Sequence, residues 1–211
     1  MSGGRPSRSP AAQARRARII HATRELLRER EADKVIVVDI AERAGVAPAT
    51  IYNLVGTRDE VLVAVLDDAV AVVASGPVLI DPQRPVDTVL DLIACSMDVL
   101  ASDPLVFRRA IGAMSFASPG VFVGTTLKQM LIERLVAVAE SFDGSIPVER
   151  LAELIHIGLR GSLISWSYGH LDDDQLALSS AEIGLHVLST TARPDIAFDI
   201  KRRLIRLAQE Q

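Results

Sequence analysis

Residues 36–58, IVVDIAERAGVAPATIYNLVGTR, constrain the fold of this chain more tightly than any other segment. Asp39 to Ala44 read as a short helix, with Ile40 and Ala44 four apart on one buried side. Gly45 stands where the chain must reverse, because glycine takes the positive φ that ends a helix without steric penalty. Val46 plugs the corner. Pro48 lacks an N–H and suits the first turn of a second helix, which continues to Leu54. Ile51 and Val55 then face inward, and Thr50, Tyr52 and Asn53 are left for outside contacts. Two helices joined by a short glycine-containing turn suit a helix-turn-helix, whose second helix enters the DNA major groove. An ordinary αα-corner carries the same local pattern, so the flanks must decide.

The flanks are charged unevenly. Residues 1–30 hold eight Arg against two Glu, and residues 1–60 sum to +3, whereas residues 61–211 sum to −7. A basic end on an acidic body suits a polyanion engaged only at the N-terminus. A solvated arginine-rich tail is the plainer explanation, but the charge lies directly beside the helical corner.

Composition bounds the rest. Aromatics make up 4 % of the chain, and Ala, Leu, Val and Ile dominate, which favours helices packed through aliphatic side chains. The single cysteine, Cys95, forms no internal disulfide, and CxxC or Cys/His zinc spacings are absent, so a cytoplasmic protein without metal or other cofactor is expected. The start, MSGGRPSRSP, is too polar for a signal peptide, and no run approaches 18 apolar residues, so no membrane partner is expected. No P-loop, metal cluster or nucleophile–base spacing points to catalytic residues, and the chain does not read as an enzyme. Asp172-Asp173-Asp174 reads as a helix-starting turn and Asp67-Asp68 as a solvated face.

Along the chain, residues 1–12 read as a disordered basic arm and 13–60 as the helix-turn-helix domain, with the motif at about 36–55. Residues 61–211 read as a helical ligand-binding and dimerisation domain. A first helix spans about Gln13 to Arg30, and Thr57-x-x-Glu60 reads as a capping box opening a fourth that runs to about Ala74. Beyond the proline-rich loop 75–85, amphipathic segments lie at about 86–101, 104–117, 121–142, 147–169, 174–192 and 195–209. The fold expected is all-α, with about nine to ten helices forming a three-helix head and a helical body.

Small and apolar residues crowd two late segments: Gly158, Gly161, Ser162 and Ser165, then Ala181, Gly184, Leu185 and Leu188. Small residues let helices approach closely. Pairing with a second subunit is expected here, because a helix-turn-helix protein reads two half-sites about one helical turn apart as a two-fold dimer. Closure of the monomer core is the competing use.

The order of motifs resembles the TetR family of transcriptional regulators. Arg18-Ile19-Ile20-x-Ala22 and Glu25-Leu26-Leu27 lead into Asp39-Ile40-Ala41-x-x-Ala44-Gly45-Val46, then Thr50-Ile51-Tyr52 and Thr57-Arg58-x-Glu60-Val61-Leu62, over about residues 15–66. The resemblance implies a three-helix DNA-binding head, a ligand-binding body, a homodimer on a palindromic or near-palindromic operator, and a repressor released by a small effector. The chain departs from that pattern at Ile36, where Thr is usual, and at Val38, where a polar or basic residue is common. Ala47 replaces a Ser or Thr cap, Val55 a frequent Phe and Gly56 a Pro.

For the DNA, the expected phosphate partners are Arg15, Arg16, Arg18, Tyr52 and Arg58, and base reading falls to the face formed by Ala47, Pro48, Ala49, Thr50 and Asn53, although the resemblance also allows Asn53 a phosphate contact in place of an adenine. For the effector, Met97, Phe107, Met114, Phe116, Met130 and Trp166 are expected to line an apolar cavity, with His156 or Arg160 as polar anchor. An apolar or amphipathic effector follows. The alternative is a helical interaction or small-molecule-binding protein whose DNA binding is weak or lost.

Overall fold

A computed structural model of the chain describes residues 9–77, 80–114 and 125–210. The described residues form ten α-helices and two 3₁₀ turns and contain no strand, only an isolated antiparallel bridge between Phe142 and Ala192. None of these helices is long and apolar enough to cross a membrane.

The first helix, α1 (Pro10–Glu29), begins inside the stretch expected to be a disordered arm. Ser9 caps it through its side chain, and Pro10 occupies the first helical position. A Ser-Pro pair is a helix start, and it outweighs the polar composition that suggested disorder. The rest of that arm, residues 1–8, lies outside the described residues.

Helices α2 (Val37–Ala44) and α3 (Pro48–Leu54) form the expected corner. Gly45 sits at φ 63°, and the next amide, Val46 N–H, donates to Ala41 O at 2.9 Å to close the turn. Neither Ile36 nor Ala47 supplies a side-chain cap to the helix it precedes. Helix α4 (Arg58–Ser75) is the opposite case, with a complete capping box. The Thr57 backbone N–H donates to Glu60 Oε2 at 2.7 Å, and the Glu60 N–H donates to the Thr57 hydroxyl. Those bonds, led by the Thr57 backbone amide, hold the Glu60 carboxyl below the ordinary carboxylate range. Gly56, at φ 131°, leaves the space that the Glu60 carboxylate occupies, and a proline could not take that φ.

The body comprises α5 (Pro85–Ala101), α6 (Pro104–Ala113), α7 (Thr125–Ala137), α8 (Val148–Ser167), α9 (Asp173–Ser189) and α10 (Pro194–Glu210). The segment expected to stay helical to residue 142 stops at Ala137. A 3₁₀ turn, Ala139–Ser141, follows, and Asp143 N–H donates to Thr191 O at 2.8 Å. The chain there is tied to the α9–α10 connection, a long-range pairing that no local pattern announces.

One apolar core runs through both parts. Ile19, Ile20, Leu26 and Leu27 of α1 are buried, as are Ile40, Ile51, Leu62 and Val65. Helix α4 belongs to both regions, packing on α1 and also on α5, α6 and α7. In the body, α9 packs between α5 and α8, and α10 closes over α9.

Candidate nucleic-acid interface and body cavity

The buried side of α3 is anchored by Ile51, which is fully enclosed, and this fixes what the other side presents. Ala47, Pro48, Ala49, Tyr52 and Asn53 are exposed and Thr50 is half-buried. Ala49 and Asn53, four apart on a helix, lie on one face. Tyr52 is 56 % exposed, so its ring is not part of the core. At the start of α2, Ile36 and Val38 are also exposed apolar side chains.

Several arginines of the head are engaged by groups of the fold. Arg58 donates from Nε to Val35 O at 2.8 Å, from Nη2 to Ala32 O, and from Nη1 to Asp59 at 3.0 Å. Each nitrogen of its guanidinium makes one bond within the fold, which gives Arg58 a structural role. Arg58 pins the 3₁₀ turn Ala32–Lys34 to the start of α4 and satisfies two carbonyls at that turn. Arg43 grips Glu29 through two bonds of 2.8 Å, which lowers the Glu29 carboxyl below its ordinary range and raises Arg43. Arg24 pairs with Asp68 at 3.4 Å, and Arg30 with Asp39 at 2.7 Å. On the first turns of α1, Arg15 and Arg18 are exposed and Arg16 is half-buried. Lys34, exposed in the turn before α2, joins them as a cation that the motif reading passed over. Its signal was its place in the loop leading into the motif.

Head and body are joined at α6. Arg109 donates from Nη1 to Leu27 O at 2.7 Å and Arg30 O at 3.1 Å, and from Nη2 to Glu31 at 2.6 Å. These bonds satisfy carbonyls left open at the C-terminal end of α1. Alongside, Arg24 lies over the ring of Phe107, 5.2 Å from its centroid. No local pattern announces this joint, because its partners are about eighty positions apart.

A cavity opens in the body among α4, α5, α6, α7 and α8. Its wall includes Leu66, Ala69 and Val73 from α4, Met97 and Leu100 from α5, Ile111, Leu127, and His156, Leu159, Arg160 and Leu163 from α8. Three of the expected lining residues, Met97, His156 and Arg160, stand there. Phe107, Met114, Met130 and Trp166 lie outside that wall, and Phe116 is outside the described residues. Trp166 has another role: its Nε1–H donates to Asp173 at 2.8 Å, and Arg108 stacks 4.9 Å from the ring. Together, the indole N–H first and Arg108 second, they hold the Asp173 carboxyl below its usual range.

The small-residue segments also sort differently from expectation. A Cβ on Gly158 would run into Ile183 of α9, and one on Gly184 would lie 2.8 Å from Ile93 Cδ1 of α5. Ser162 Oγ lies 3.2 Å from Ser179 Oγ, and Leu185 and Leu188 are fully buried. These five residues close the monomer core, because three helices must approach one another here. Gly161 is exposed and Ser165 and Ala181 are half-buried, so only these three of the eight remain open to a partner. The outward stripe of α8 instead carries Ile157 and Tyr168, 52 % and 58 % exposed.

The described residues thus place a helix-turn-helix corner beside a helical body with an internal cavity. Residues 19–65 match the model of the bacterial regulatory proteins of the tetR family. Among solved structures it is similar to a TetR transcriptional regulator from Rhodococcus sp. RHA1, with a TM-score of 0.62 and 20 % identity over 83 % of this chain and 96 % of that one. It is similar also to TylP, a TetR regulator from Streptomyces fradiae (TM-score 0.59, 19 % identity, 96 % of this chain and 99 % of that one). A third is FadR of Thermus thermophilus, a TetR-family repressor in complex with lauroyl-CoA (TM-score 0.58, 20 % identity, 82 % and 93 %). No protein of curated function matches the sequence significantly.

Proposed function

We propose that this protein is a dimeric, sequence-specific DNA-binding regulator of transcription, acting as a repressor that a small apolar or amphipathic molecule releases from its operator. The observation that carries the reading is the α3 face: a helix held from behind by Ile51, with the 47–53 surface free, in a domain that matches the tetR family model. Phosphate contact falls to Arg15, Arg16, Arg18, Lys34 and the Tyr52 hydroxyl, since Arg58 is engaged elsewhere. The partner subunit is taken up on the outward side of α8 around Ile157, Gly161 and Tyr168, with Ser165 and Ala181 at its margin.

The cavity supports the effector part. Its wall is aliphatic apart from Ser96, His156 and Arg160, which suits a largely apolar body with one polar end. It touches α4 and α6, the two body helices that also pack on α1 of the head, so occupancy bears on the head's position. Gel shift of the full chain against DNA upstream of its own gene, repeated across salt concentrations, tests the reading. A shift that weakens steeply with salt and is reversed by a ligand found in a thermal-shift screen is expected.

The second reading, weak or lost DNA binding, draws on exposed Ile36 and Val38 and on the engagement of Arg58. A ligand-induced thermal shift without any salt-sensitive DNA shift would favour it.

A further inference from the structure

We propose that α3 reads A·T base pairs and is blind to guanine: Ala49 and the Thr50 methyl contact thymine methyl groups, and the Asn53 amide pairs with adenine. This rests on the reading that α3 enters the major groove. The stretch from Val46 to Val55 contains no Arg, Lys, Gln, His, Asp or Glu. In the major groove, guanine is recognised by a bidentate Arg or Lys, cytosine by a carboxylate acceptor, adenine by Asn or Gln, and thymine by an apolar contact to its methyl. The side chains on the open face of α3 therefore include readers of adenine and thymine and lack the bidentate Arg or Lys reader of guanine and the carboxylate reader of cytosine, while the Thr50 hydroxyl discriminates neither.

Among the described residues, Arg43 and Arg58 are already engaged within the fold. Arg58 is held by Val35 O, Ala32 O and Asp59, and Arg43 is held twice by Glu29. Reading guanine with either would require breaking bonds the fold already makes. The partner is duplex DNA because the exposed cations, Arg15, Arg18 and Lys34, flank an otherwise uncharged face. They supply attraction without sequence information, while the apolar face supplies a preference for methyl groups. Placement agrees, since Ala49 and Asn53 share an exposed face, and the half-buried Thr50 lies at its margin.

The test begins with selection of sites for the full-length protein from a random duplex pool at fixed salt. Each thymine of the winning site is then replaced by deoxyuridine, which deletes only the 5-methyl group. Half-sites centred on A·T pairs are expected, with at least one deoxyuridine lowering affinity roughly fourfold, as for one buried methyl. Thr50→Ser keeps the hydroxyl and deletes a methyl, and it should abolish that sensitivity at one position while leaving the fold and the salt slope unchanged. Asn53→Ala should weaken binding about tenfold and relax selectivity at one adenine. Selected half-sites with an obligatory major-groove G·C pair, or affinity indifferent to every deoxyuridine, would overturn the proposal while leaving DNA binding intact. Absence of salt-sensitive binding to any duplex would overturn the DNA reading and this proposal with it.

Discussion

Small residues in the head and small residues in the body serve opposite ends. At α3, Ala47 just before the helix and Ala49 within it stand in the open, over a core that Ile51 seals from behind. On α8 and α9, Gly158 and Gly184 lie under the side chains of neighbouring helices, at distances that leave no room for a Cβ. The same chemical modesty leaves space for an outside macromolecule in one place and for another helix of the chain in the other. Patterning alone could not separate these uses, because both regions read as short side chains at helical spacing. What separates them is the bulky partner. Ile93 and Ile183 sit opposite the body's glycines, whereas Ala49 is exposed among the described residues.

The largest effect expected from breaking this comparison comes from filling the body. Gly184→Leu forces a branched side chain against Ile93 and Leu90, which overpacks the α5–α9 contact. Destabilisation of about 2–3 kcal/mol is expected by chemical denaturation. Ala49→Leu adds the same kind of bulk at the exposed face and should change stability by less than about 0.5 kcal/mol while abolishing DNA affinity. Equal losses of stability in the two variants would erase the distinction.

Next comes the joint between the regions. Arg109→Ala leaves the carbonyls of Leu27 and Arg30 without their donor and frees Glu31. A loss of about 2 kcal/mol is expected, together with faster hydrogen exchange in the last turn of α1. Exchange that rises only in α6 would show that the bonds do not hold the head.

Arg58→Ala sharpens the comparison within the head itself. It removes donors to Val35 O and Ala32 O, so roughly 1–2 kcal/mol of stability should be lost. The salt slope of DNA binding should not change, because no phosphate contact disappears. A slope lowered by about one unit with unchanged stability would restore Arg58 to the DNA.

How much of this was legible follows the same division. The head's features are local. Gly45 at the corner, Pro48 at a helix start and Thr57 with Glu60 as a capping box each act over four residues or fewer, and each stands as read. The Ser9-Pro10 start obeys the same rule and was passed over in favour of composition. The body's features are long-range. The helices were legible from amphipathic spacing, but the end of α7 depends on Thr191 and the seat of Gly184 on Ile93. The cavity wall draws on five helices at once, so only Met97, His156 and Arg160 were found from sequence. The structural role of Arg58 was hidden for a related reason. Its position matched the expected phosphate site, but its nearest acceptors lay more than twenty residues back in the chain.

The smallest effect expected is electrostatic and belongs to the body alone. Arg203 of α10 donates to both oxygens of Asp87 on α5, at 2.5 and 3.1 Å, and Arg84 adds a third bond at 3.1 Å. These partners, Arg203 first, hold the Asp87 carboxyl below its ordinary range. A carboxylate with a lowered folded-state pKa contributes its stability in full above the unfolded value, about 3.9, and loses it as the pH falls through the folded value. Asp87→Asn removes the charge and should cost roughly 1 kcal/mol at neutral pH. Other carboxyls of the chain, including Glu29, Glu60 and Asp173, are lowered as well, so the whole protein weakens in acid. The informative quantity is therefore the difference between wild type and Asp87→Asn. It should be constant above about pH 5 and shrink below about pH 4 as the wild-type carboxyl takes up its proton. A difference that stays constant through that range would mean α10 is held to α5 by packing and not by this pair.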